Sequence, residues 1–262
     1  MDATAADIGA IGLITSLVLV AVAVALSRWQ RLGLEASMLF ACSRAMGQLG
    51  VVGIALTLVI DPDQPLALAW AWVVLMVGVA AVTVGQRART IVGLRSLALL
   101  SLSLSTGVSL AVIFGLGIFP LEGRAIVPVS GMMVGNSLTA TVVAARRIVA
   151  ELADKRPEVE ARLALGQPWP VASRPYVREA LRTALVPQIE STKAVGLVFL
   201  PGAMTGLVLA GVDPIDAVLV QAAVMFLILG SVATTVTVVG IGLTRRLFTP
   251  DHRLVRLERT TG

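Results

Sequence analysis

Hydrophobic positions in this chain come in long, nearly unbroken runs. The one-faced, 3.6-residue periodicity of a surface helix is confined to one region. Runs of about the length a bilayer requires, roughly 20 residues, occupy about 8–26, 36–60, 66–84, 97–118, 125–149, 194–211 and 215–243. Each holds too many consecutive apolar residues for a helix with a watered face. The pattern predicts an all-α integral membrane protein of seven transmembrane helices, forming a single transmembrane domain over 1–262. The first run is expected to be a retained span: Asp2 and Asp7 precede it in place of a basic leader, and Arg28 and Arg31 follow it.

The polar stretches sort by charge. All 21 basic residues except Arg44 and Arg124 lie in 28–35, 85–96, 146–193 or the tail with Arg245, Arg246, Arg253, Arg256 and Arg259. The alternate connections carry Asp61 and Asp63, Glu122 with Arg124, and Asp213 with Asp216. The positive-inside rule then predicts an N-terminus outside and a cytoplasmic C-terminus, and seven spans satisfy that parity. Composition agrees. Hydrophobic residues make up 56% and charged residues 14% of 262, too few charges for a water-facing surface. A soluble enzyme and a disordered chain are both excluded. The net charge of +5 sits in loops between apolar runs and does not signal nucleic acid. One cysteine, Cys42, excludes a disulfide scaffold, and one histidine, His252, excludes a site of several imidazoles.

One connection is long, 150–193. Its second half, 174–190, is amphipathic. Val177, Ala180, Leu181, Ala184 and Leu185 share one face and Arg178, Glu179 and Arg182 the other, as in a helix resting on a membrane interface or a solvated linker. Its first half contains Glu160-Ala161-Arg162 with Gly166 following. That spacing is similar to the EAA loop with which ABC transporter permeases dock on a cytoplasmic ATPase. A Gly permits the left-handed turn that ends a short helix as a rigid knob.

Polar groups inside apolar runs are candidates for a translocation pathway, because they are costly there. These are Arg44 and Gln48, one helical turn apart, then Ser130, Met132 and Asn136. Met204 lies in the sixth run, and Glu190 stands at its entry beside Lys193. Pro128 in the fifth run and Pro201-Gly202 in the sixth predict kinked or broken helices. The plain alternatives are an Arg anchored to headgroups, glycine-mediated helix packing through Gly131 and Gly135, a static kink, methionine as core filler, and a Glu190–Lys193 pair. No metal-ligand cluster of His, Cys and carboxylate is legible, so any metal site is unknown at this stage. Neither lysine, Lys155 or Lys193, follows a Gly, which excludes a phosphate loop of the G-K-[ST] type. No cofactor is expected on this chain.

Taken together, Arg44-x-x-x-Gln48, the run Ile126 to Met132 leading to Gly135-Asn136, Leu163-Ala164-Leu165-Gly166, and above all Arg178 to Pro214 resemble the FetB (YbbM) permease family. These are bacterial inner-membrane proteins related to plant aluminium-tolerance permeases, and the likeness covers essentially the whole chain. The resemblance implies a non-enzymatic membrane subunit of an ABC transporter. A separate ATPase (FetA in bacterial members) would bind ATP and Mg2+, and the permease would be a homodimer carrying two ATPase chains. It further implies iron export with resistance to oxidative stress, and a place in the inner, or plasma, membrane among lipids and away from nucleic acid. Another cargo, such as a nucleotide sugar or a metal chelate, stays open. So do an ATP-independent carrier and a membrane scaffold.

Overall fold

The computed structural model describes residues 10–61 and 63–255. Asp2, Asp7, the first two residues of the expected first span, and Arg256 and Arg259 lie outside the described residues. About 80% of the described residues are helical, with no strands among them. In chain order the helices are α1 (Ala10–Trp29), α2 (Glu35–Val59), α3 (Leu66–Arg87), α4 (Leu94–Gly115), α5 (Gly123–Asp154), α6 (Arg156–Ala164), α7 (Trp169–Ala194), α8 (Gly202–Leu209) and α9 (Pro214–Leu247). Five of them, α2, α3, α4, α5 and α9, are long and apolar enough to cross a membrane. In α1 the stretch Leu17–Trp29 is likewise apolar.

The expected sixth crossing, the run 194–211, is not one helix. Val195 leaves α7 in an extended conformation, Gly196 turns with φ +91°, and its N–H donates to the Phe199 carbonyl at 3.0 Å. Pro201 then stands extended before α8, which has only 8 residues. That is about 12 Å of helix against a hydrocarbon core of about 30 Å. An apolar run long enough to span is therefore interrupted by a left-handed glycine and by a proline that cannot donate into a preceding turn. The broken helix read from Pro201-Gly202 is observed. A continuous sixth span is not.

Two apolar clusters stack along the bundle of α3, α4, α5, α7 and α9. One gathers Val84, Leu94, Leu152, Val159, Tyr176 and Leu243; the other gathers Val59, Ala69, Ile113, Ile126, Ala184 and Val232. Between them α4, α5 and α9 are pinned by buried hydroxyls. Ser105 Oγ lies 2.7 Å from both the carbonyl oxygen and Oγ of Ser231, and Ser137 Oγ is 3.1 Å from Ser231 Oγ. Buried hydroxyls need such partners, and here one serine on each of three helices supplies them.

The basic connections gather at one end. Arg146 donates to the Arg87 carbonyl and Arg246 to the Gly93 carbonyl, tying the ends of α5 and α9 to the α3–α4 turn. At the opposite end Asp61, Glu122 and Arg124 line a common cavity of about 340 Å³. The clustering of charge seen along the sequence is thus a clustering in space.

Candidate functional sites on α6 and α7

The EAA-like stretch forms α6 and its exit. α6 ends at Leu165, and Gly166 takes φ +84°. The Gly166 N–H donates to the Leu163 carbonyl at 3.0 Å and the Gln167 N–H to the Arg162 carbonyl at 3.2 Å. This paired closure is the Schellman arrangement, and it requires the left-handed residue that Gly supplies without strain. The underside of α6 is fixed to the bundle. Val159 is fully buried and Leu163 packs on the first cluster. Arg156 reaches the carbonyls of Leu254 at 3.2 Å and Val255 at 3.5 Å. The Arg162 guanidinium lies 5.9 Å over the Tyr176 ring.

The outer side of this unit is free. Glu160 and Ala161 are exposed, with Glu160 held 2.6 Å from Arg156 Nε, and Leu165 is 82% exposed at the tip. A rigid, anchored turn that presents an uncovered leucine is the shape of a docking knob. Sequence reading located the turn but missed Leu165 as its apolar tip, because in an apolar-rich chain one more leucine carries no signal.

Glu158 closes the joint between α6 and α7. It accepts from Lys155 at 3.0 Å and from the Tyr176 hydroxyl at 3.0 Å. The Lys155 hydrogen bond, then that of Tyr176, holds its carboxyl below the ordinary carboxylate range, and Glu158 in turn raises Lys155. A carboxylate whose folded pKa is lowered contributes fully above its unfolded value, and that contribution is lost as pH falls through the folded one. The raised lysine loses its contribution only at alkaline pH. Tyr176→Phe is therefore expected to begin loosening the α6–α7 joint at a higher pH on acidification than the parent. Amide hydrogen exchange of α6, corrected for intrinsic rates, checks this. Identical acid profiles would remove Glu158–Tyr176 as the joint.

α7 is not where the amphipathic pattern of 174–190 suggested. It stands along the bundle against α5 and α9 instead of lying flat across its end. Tyr176 and Ala180 enter the first cluster and Ala184 the second. Leu181 lies against Gly240 of α9, whose missing side chain makes room for it. α9 meets the same clusters in the reverse order, so the two helices run antiparallel. The small residues Ala180, Ala184 and Gly240 are what allow this approach.

The other face of α7 is exposed, charged toward its two ends and apolar between them at Val186 and Ile189. It carries Arg174, Arg178, Glu179 and Arg182, then Glu190 and Lys193. Lys193 Nζ lies 2.9 Å from Glu190 Oε1, with the two side chains 67% and 60% exposed. Glu190, expected at the entry to the sixth span or paired with Lys193, makes that pair on this face of α7, nine residues beyond Leu181, or about 14 Å of helix.

Of the remaining pathway candidates, Met132 and Asn136 on one helix are joined by a hydrogen bond, and no bond among the described residues brings the others to them. Arg44 and Gln48 are exposed on α2, and Arg44 borders a cavity of about 980 Å³ with Gln86 and Arg95. Ser130 is buried and donates to the Ile126 carbonyl of its own helix at 2.6 Å. Asn136 is exposed and donates to the Met132 carbonyl at 2.8 Å. Met132 and Met204 are half-buried on different helices, α5 and α8. Pro128 lies within α5, which continues unbroken past it. Among the described residues no group of three or more His, Cys, Asp or Glu could hold a metal ion.

Several helices long and apolar enough to cross a bilayer, with charge gathered at the two ends, define a multi-pass membrane protein. The chain belongs to the family described as "Uncharacterised protein family (UPF0014)", whose pattern matches residues 10–248. It is similar to the rice (Oryza sativa subsp. japonica) "UPF0014 membrane protein STAR2", 40% identical over 86% of this chain and 78% of that protein. The Arabidopsis thaliana "Protein ALUMINUM SENSITIVE 3" is 35% identical over 82% of this chain and 79% of its own length. The Escherichia coli (strain K12) "Probable iron export permease protein FetB" is 31% identical over 92% of each. No solved structure matches. The relatives confirm the family resemblance carried by the sequence motifs.

Proposed function

We propose that this chain is the permease subunit of an ATP-driven ABC transporter that exports iron, paired with a separate ATPase docked on the α6 knob. The observation that carries this is the knob itself, a Schellman-capped turn anchored by Val159 and Arg156 with Leu165 uncovered at its tip. The arginine-rich end, where the knob sits, is the cytoplasmic end by the positive-inside rule, and the membrane is the bacterial inner, or plasma, membrane. ATP and Mg2+ belong to the partner. A homodimer with two ATPase chains is the assembly. Movement of α6 would pass through the Glu158–Tyr176 joint into α7. The 92% coverage of a relative named as a probable iron export permease supports the cargo, and oxidative-stress resistance follows as the physiological consequence of iron export.

The test is ATP hydrolysis by the permease reconstituted with its ABC ATPase partner, titrated with ferrous iron and control metals, each free and as an anionic chelate. The expected result is iron-dependent stimulation that Glu160→Ala weakens. Failure of the two chains to associate would overturn the ABC reading. Robust hydrolysis blind to every metal would overturn the iron assignment alone. Transport persisting without the ATPase would favour an ATP-independent carrier.

A further inference from the structure

Between α7 and α9, at the arginine-rich end, lies a groove of about 670 Å³. Its lining includes three arginines at helical i, i+4 spacing, Arg174, Arg178 and Arg182, the last 3.9 Å from Glu179, and half-buried apolar Val177, Leu181 and Leu185. No Asp, Glu, His or Cys lines it, so nothing in it suits a bare metal cation, which takes carboxylate, imidazole or thiolate ligands. The volume falls in the range of sites for small organic ligands. Guanidinium groups in series suit phosphate or carboxylate groups.

Past Arg182 the exposed side of α7 carries Val186 and Ile189 and then the Glu190–Lys193 pair, which begins about 12 Å of helix beyond Arg182. Exposed charges at both ends of this stretch are costly against lipid tails, so these ends face water or protein. The apolar face of α7, by contrast, is already packed on α5 and α9.

We propose that Arg174, Arg178 and Arg182 bind an organic anion at the mouth of a water-filled route that runs along the exposed side of α7. This rests on the permease reading and gives the class of its cargo: iron leaves as an anionic chelate and not as the free cation. The occupant is a water-borne cargo anion and not a phospholipid headgroup.

Two measurements on the full chain, in nanodiscs of neutral phospholipid, test it. In a Cys42→Ser background, Glu190→Cys and Lys193→Cys are expected to react with a membrane-impermeant thiol reagent at least about tenfold faster than Val79→Cys, which replaces an exposed apolar residue of α3. Equal rates would overturn the water-filled route. In metal-free buffer, fluorescence polarisation of calcein, a membrane-impermeant polycarboxylate, is expected to report binding. The binding should weaken by about tenfold or more in the triple Arg→Gln variant, and survive in Arg178→Lys and in Arg89→Gln outside the groove.

No binding, or equal loss in Arg89→Gln, would overturn the anion site. So would displacement of calcein by a small fraction of anionic phospholipid, which would assign the groove to headgroups. Because the arginines are exposed, tryptophan fluorescence and size-exclusion profiles of the variants serve as the folding control. Association with the ATPase is read on the same preparations. A complex that forms without binding calcein sinks this inference and leaves the permease reading standing; no complex sinks the permease reading.

Discussion

Gly240→Leu is expected to separate α7 from α9 and to give the largest loss of stability of any single change considered. A Cβ at Gly240 would stand 2.8 Å from Cδ2 and 3.0 Å from Cδ1 of Leu181. An alanine there meets only the far end of a flexible side chain, which can turn aside, so Gly240→Ala is expected to cost little. A leucine adds three further carbons against Leu181 where the two helices meet, and overpacking of this kind costs about 1–3 kcal/mol. The strain falls where α7 passes from one core cluster to the next. α7 is therefore expected to lose protection from hydrogen exchange before the α3–α4–α5 part of the bundle does. Thermal unfolding in detergent checks the stability. Pairing the change with Leu181→Ala checks the cause, since residues in contact couple where distant ones add. A double variant no more stable than the sum of its parts would show that α7 does not depend on this contact.

Gly166→Val is expected to abolish ATPase stimulation while leaving the bundle folded. At φ +84° an L-residue is strained by about 1–2 kcal/mol, and a β-branched one is a worse misfit. The two hydrogen bonds that close α6 onto Leu163 and Arg162 depend on that turn. The damage stays local because α6 meets the rest of the protein through a short set of residues, Arg156, Glu158, Val159, Arg162 and Leu163. The companion change Leu165→Asp leaves the backbone alone and places a charge on a residue that is 82% exposed, so it is expected to be neutral for folding and severe for docking. Thermal unfolding of the permease beside pull-down and hydrolysis with the ATPase separates the two effects. Stimulation retained in both variants would place the ATPase contact elsewhere on the chain.

Much of the architecture was legible before any coordinates. The ranges of α2, α3, α4, α5 and α9 follow the apolar runs closely, because insertion in a membrane is dictated by run length and composition, which are local properties. The charge clusters at 85–96, 146–147 and 245–246 likewise reappear as one end of the bundle. The Glu160 to Gly166 turn was readable because a Gly two residues after a helical stretch has a specific conformational use. Other candidates did not converge. Ser130 turned out to be satisfied by its own helix, and Arg44 and Met204 lie on α2 and α8, for a physical reason: a polar residue in an apolar run advertises its cost without naming its neighbour.

The sequence by itself determined the class of protein, the helices and the sorting of charge, since each depends on the composition of a stretch of chain and on nothing beyond it. Only the tertiary structure decided the fate of α7 and of 194–211. The amphipathic pattern of 174–190 is the same for a helix on a membrane surface and for one standing in a bundle with its charged face turned outward. The choice rests on Ala180 and Ala184 finding α5 and α9, and on Gly240 leaving room for Leu181 some sixty residues earlier in the chain. The apolar length of 194–211 allowed a span, but Gly196 and Pro201 set the backbone, and an 8-residue helix cannot cross a bilayer core however apolar it is.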